Sequence, residues 1–125
     1  METRYEHPKQ AKDNENFAER LLQDGDAYSV TWAATLIFYS AVHYGRAFVA
    51  ANRPMNIRTR SGFDSIFRRA WTASSIVFPH YQVLKVNYER ARYDCAEYTV
   101  AEVLKLRDDH LRPFRDAILA GLGVP

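Results

Sequence analysis

The chain has 125 residues, 47% of them hydrophobic, with a formal net charge of +2, five Gly, five Pro and one Cys. That is one domain with enough apolar material for a single core. The lone Cys95 excludes an internal disulfide and a zinc site built from several thiolates, which points to a reducing cytosol. With few Gly and Pro and no long alternating apolar run, a sheet has little to build on, so an all-α fold is expected.

In chain order, residues 1–13 read as a polar tail and 14–122 as one helical bundle domain. A first helix over about Asn14–Gln23 turns Phe17, Ala18, Leu21 and Leu22 inward and stops at Gly25. A second begins after Ser29 or Thr31, either of which can cap a free first-turn amide, and runs to about Asn52. Its stretch Trp32–Ala51, WAATLIFYSAVHYGRAFVAA, is apolar around nearly its whole circumference yet carries His43 and Arg46 one turn apart. A helix so apolar must be buried on several sides, and its polar groups then need partners. A membrane span is disfavoured, because Ser40, His43, Gly45 and Arg46 occupy its middle and a cation there costs roughly 2.5–3.5 kcal/mol. Its distance from the start, behind an acidic lead, also argues against a signal peptide. Such a helix in a chain this small is expected to complete its burial against a second copy, as a homodimer.

Pro54 enforces a loop, and a third helix is expected from Ser61, with Phe63, Ile66, Phe67, Ala70 and Trp71 on one side. Residues 53–70 hold Arg53, Arg58, Arg60, Arg68 and Arg69 against Asp64 alone, whereas residues 1–26 hold seven acidic and four basic side chains. The arginine-rich stretch suits either a phosphate-binding surface with stacking aromatics or a solvated face over a buried aromatic stripe. A fourth helix over about Pro79–Ala96 places Tyr81, Leu84, Tyr88, Ala91 and Cys95 on a narrow seam. The last, about Val100–Leu122, buries Val103, Leu104, Leu106, Leu111, Phe114, Ile118 and Leu119, with Pro113 expected to kink or split it.

Familiar chemical signatures are absent: there is no Walker loop, HExxH, CxxC, EF-hand loop or GxSxG. Asp108, Asp109 and His110 are neighbours on a helix, point to different faces and are expected to be a solvated charge cluster, so neither a metal nor a cofactor is expected. His80 and His7 are expected to be exposed and inert, and Cys95 a packed thiol.

The order of FAERLL at residues 17–22, a Trp-led helix with FYSAVHYGRAFVA at 38–50, a loop with Arg60, YQVL at 81–84 and ERARYD at 89–94 resembles the HEPN superfamily of small helical-bundle proteins, over roughly residues 16–119. The resemblance implies an up-and-down bundle of four to five helices, commonly dimeric, in prokaryotic toxin–antitoxin, antiphage or RNA-processing settings, with an antitoxin or nucleotidyltransferase as partner. Active members use an Arg-x4-6-His motif to cut RNA without metal, His moving protons and Arg stabilising charge on the phosphate. Here no Arg is followed by His at that spacing, and Ile57 stands where the resemblance expects a His three before Arg60.

Two readings follow. One is a noncatalytic cytoplasmic module binding RNA, a nucleotide or a partner protein, with Arg46, Arg58, Arg60, Arg92 and Tyr93 receiving phosphate. The other is a divergent metal-independent endoribonuclease with His43 and Arg60 as catalytic groups. His43 is alternatively a structural residue held by Tyr39, Tyr81 or Tyr93. Arg112 and Arg115 are expected to matter least for ligand binding.

Overall fold

A computed structural model describes residues 6–52 and 77–121, which form helices joined by short connections, with no strand among them. Helix α1 spans Glu6–Asp24, α2 Ala27–Asn52 and α3 Val77–Tyr93. The last helix runs as α4, Val100–Leu106, a π-helical turn, Arg107–Leu111, and α5, Arg112–Gly121. The third helix expected from Ser61 lies outside the described residues. No described helix is long and apolar enough to cross a membrane.

The stretch expected to be a polar tail is helical from Glu6, and Ala11 within it is fully buried. Its apolar content is too thin to mark a helix by periodicity; small side chains let it lie close against α2. Gly25, with φ +75° and its amide on the Leu21 carbonyl, ends α1 in the left-handed conformation glycine adopts without strain. Asp26 then accepts a 3.0 Å bond from the Ser29 amide, so the cap of α2 is Asp26, ahead of the Ser29 or Thr31 expected from sequence. Hydrogen bonds from the Ser29 amide and then its hydroxyl hold the Asp26 carboxyl below the usual carboxylate range.

Two residues between α1 and α2 leave room only for an antiparallel hairpin. Every residue of α2 from Val30 to Phe48 is buried or half-buried, and α1, α3, α4 and α5 all pack on it. The core gathers Ile37 and Phe38 from α2, Tyr81 and Leu84 from α3, Val103 from α4, Leu111 from the π turn and Phe114 and Ile118 from α5. Phe38 stacks on Tyr88 with centroids 4.6 Å apart and tilts against Tyr81 at 5.5 Å; Tyr81 in turn meets Phe114 at 5.9 Å.

Polar groups on α2 find partners across the hairpin. Ser40 Oγ donates to the Ala11 carbonyl at 2.8 Å, both groups out of water. Tyr44 Oη donates to Glu15 Oε1 at 2.6 Å. Side chains lean toward the N-terminus of their own helix, so in an antiparallel pair Glu15 and Tyr44 lean toward one another. Arg115 from α5 closes this cluster, its Nη1 lying 3.1 Å from Glu15 Oε2. Burial, then the bond to Glu15, pushes the Tyr44 hydroxyl far up, so it stays a donor at all physiological pH.

The last helix follows its own apolar spacing. Val103, Leu106, Leu111, Phe114 and Ile118 are buried, and the five-residue step from 106 to 111 would leave the stripe on an ordinary α-helix. The π turn absorbs it: Arg112 N–H bonds the Arg107 carbonyl, five residues back, and Pro113, which has no N–H to give, follows at once. The expected kink takes this form. Upstream, Thr99 and Glu102 form a reciprocal capping box at 3.2 and 3.0 Å that starts α4.

Two outcomes follow from this packing. Ala41→Leu, at a site with no exposure, is expected to cost about 1–3 kcal/mol by overpacking, while Ala101→Leu on the exposed side of α4 costs little; urea unfolding midpoints compare them. Glu15→Ala strips Tyr44 and Arg115 of a shared acceptor and is expected to cost about 1–3 kcal/mol, with Glu15→Gln recovering part of it in the same assay.

Candidate functional site

On the described surface, aromatic and cationic groups converge on open space beside the start of α2. A cleft of about 550 Å³ lies between the first two turns of α2 and the end of α3 with the chain that follows it. Tyr28, Thr31, Trp32 and Thr35 line it from α2; Arg92, Tyr93, Cys95 and Glu97 line it from the other side. The Arg92 guanidinium carbon sits 5.2 Å from the Trp32 ring centroid and 5.9 Å from that of Tyr93, within cation–π range. Tyr28 meets Trp32 edge-on at 6.2 Å. Tyr28 and Tyr93 are 72% and 65% exposed, the two largest exposures among the big hydrophobics described.

Local structure explains why Tyr93 and Arg92 stand there. The seam of α3 buries Val77, Tyr81, Leu84 and Tyr88; Arg92 continues that face one turn beyond the core, and it and Tyr93 are exposed at the end of the helix. The Ala96 amide then reaches back to the Arg90 carbonyl at 3.2 Å, the closure that needs a left-handed residue just before it. That residue is Cys95, with φ +56°. Expected to be a packed thiol, it is an exposed, strained turn residue instead. Tyr98 anchors the far side, its hydroxyl shared between the Asn87 carbonyl at 3.1 Å and Asn87 Oδ1 at 2.8 Å.

The structure divides the residues expected to form a phosphate pocket. Arg92 and Tyr93 meet in the cleft. His43 lies eleven positions along α2 from Trp32, about 16 Å at 1.5 Å per residue. Arg46, half-buried, lies a turn further. Arg58 and Arg60 are outside the described residues. Sequence reasoning missed Tyr28, Trp32 and Glu97; the interrupted seam of α3 facing a Trp at the start of an apolar helix was the available signal.

The histidines also differ from expectation. His7 is buried and its Nδ1 lies 2.9 Å from Nδ1 of His43, so the partner of His43 is a histidine from the supposed tail, and none of the expected tyrosines is bonded to it at that nitrogen. His80 faces His110 in the same way at 3.0 Å. The 108–110 cluster is accordingly only partly solvated: Asp108 pairs with Arg107 and Arg112, while His110 is half-buried. Arg107 also reaches Glu19 on α1. Arg115 is committed to Glu15 and Asp116, so of the two arginines expected to be bystanders, only Arg112 is free of a structural task in the core. Among the described residues no group of three or more His, Cys, Asp or Glu is placed to hold a metal ion.

Cys95→Gly relieves the left-handed strain at the end of α3 and is expected to raise stability by up to about 1 kcal/mol. Chemical unfolding of the two proteins measures it, and a loss of stability would show that the Cys95 side chain makes compensating contacts.

Compared with family models, with curated proteins and with solved structures, the chain matches none.

Proposed function

We propose that the chain is a HEPN-like helical module that binds single-stranded RNA or a nucleotide in the cleft between α2 and α3. The observation that carries this reading is the stack of Arg92 on Trp32, flanked by the exposed side chains of Tyr28 and Tyr93. An unpaired base presents a π-face to such aromatics, at about 1–3 kcal/mol per stacked base, and a guanidinium beside them offers two parallel hydrogen bonds to the attached phosphate. The cleft volume of about 550 Å³ falls in the range of small-ligand pockets.

The noncatalytic form of the proposal is favoured over the ribonuclease. His43 has its Nδ1 engaged by His7 and stands well away from Arg92, which leaves the cleft without a histidine among the described residues that line it. Homodimerisation belongs to the proposal: Trp32, Leu36, Tyr39, His43 and Arg46 form a half-buried stripe along α2 at the four-three spacing used between paired helices. A bacterial toxin–antitoxin or defence setting is the biological context that the resemblance suggests.

Fluorescence anisotropy with a short single-stranded RNA tests this reading. Affinity is expected to fall steeply with salt. Arg92→Gln and Tyr93→Ala are each expected to weaken binding by roughly 5- to 100-fold, and Arg112→Gln to leave it nearly unchanged. Equal losses from Arg92→Gln and Arg112→Gln would reduce the interaction to diffuse electrostatics. In EDTA the RNA is expected to stay intact; cleavage abolished by His43→Ala would instead establish the ribonuclease.

A further inference from the structure

The four histidines of the chain are used in two facing pairs, His7 with His43 and His80 with His110. In the second pair the Nδ1 atoms are 3.0 Å apart and the ring centroids 5.2 Å. A ring nitrogen lies about 1.2 Å from its centroid, so the two ring radii and the N···N distance together account for the whole centroid separation. The nitrogens therefore point at one another along nearly a straight line. Two ligands of one metal ion behave differently: their lone pairs converge on a point to one side, at a bond angle near that of a tetrahedron or a square. The collinear arrangement is that of one N–H donating to one lone pair.

Proton count then sets the behaviour of the pair. When both rings are neutral, one carries its proton on Nδ1 and donates, while the other carries it on Nε2 and accepts at Nδ1. A first added proton goes to the free Nε2 of the donor ring, and the bond survives as a charge-assisted one. A second has only the accepting Nδ1 left. It replaces the lone pair by an N–H that faces another N–H, and sets two positive rings against each other.

We propose that His80 and His110 form an acid-released latch between α3 and the π turn of the last helix, closed by one shared hydrogen and opened by the second proton. The elements around it favour this behaviour. His110 stands on the π turn, where the last helix departs from regular α-helical bonding. Of the charges His110 experiences, Lys105 on α4 opposes its protonation and Asp109 on the π turn favours it, with His80 the contribution from α3; among the described residues α2 and α5 add none. Burial first, and then the charge of His80, hold His110 below the usual histidine range. In the unfolded chain both rings take a proton near pH 6.5. His110 in the folded chain takes its proton only at lower pH, so the stability the latch contributes is fully present above the unfolded value and is lost as pH falls below it toward the lower folded one.

Ring-nitrogen NMR of the unmodified protein reads the pair directly. The expected result is that His110 takes its proton below the ordinary histidine range in a step that senses the ring of His80. Two rings that each titrate independently, in one step near pH 6.5, would overturn the proposal. Thermal melting from pH 7 to pH 5 supplies a second readout: the slope against pH is expected to be shallower in His80→Gln, by roughly 3 °C over that interval, whatever the variant's absolute stability. Equal slopes would also overturn it. So would Zn²⁺ binding at micromolar concentration that shifts both rings, because the pair would then be a metal chelate.

Discussion

The fold depends on the burial of α2. From Val30 to Phe48 it has no exposed residue, so the hydrophobic gain of the molecule is concentrated on one helix and the other described helices are arranged around it. That concentration creates the main constraint. Ser40, His43 and Tyr44 sit within an apolar environment and each must be satisfied from a neighbouring element, since an unpaired polar group there costs as much as a large side chain gains. Their partners are the Ala11 carbonyl, His7 and Glu15, all on α1. The hairpin is therefore held in register by directional bonds, with the small side chains of Ala11, Ala18, Ala33, Ala34 and Ala41 allowing the close approach those bonds require.

The same constraint separates the two ends of α2. Near His43 the polar groups are paired with α1, and Glu15 recruits Arg115 from α5. At the other end Trp32 faces the end of α3, where packing gives way to an open cleft lined by aromatic and cationic side chains. Interior and recognition surface are thus two ends of one helix. A strained Cys95 turn shapes the recognition end; the cost of its left-handed backbone falls where the chain must reverse between α3 and α4.

Much of the fold was legible in the sequence because apolar spacing is a direct record of burial. Tyr81, Leu84 and Tyr88 on α3 and Val103, Leu111, Phe114 and Ile118 on the last helix are core residues, as the periodicity indicates, and Pro113 marks the irregular turn. The start of α1 was not legible, because its first two turns are polar and contribute to the core through Ala11 and a histidine. Nor were the histidine pairs: contacts between residues 36 and 30 positions apart leave no local pattern. For the site, Arg92 and Tyr93 were identifiable, whereas their separation from His43 was not, since distance along a helix becomes distance in space only once the helix is known to run straight past both.

The central claim is that recognition belongs to the Trp32 end of α2 and architecture to the His43 end. Chemical-shift mapping with a short single-stranded RNA tests it most directly. The account predicts perturbations at the Trp32 indole and at Tyr28, Arg92 and Tyr93, with the rings of His7 and His43 unmoved. Shifts centred on His43, with the Trp32 indole silent, would contradict it.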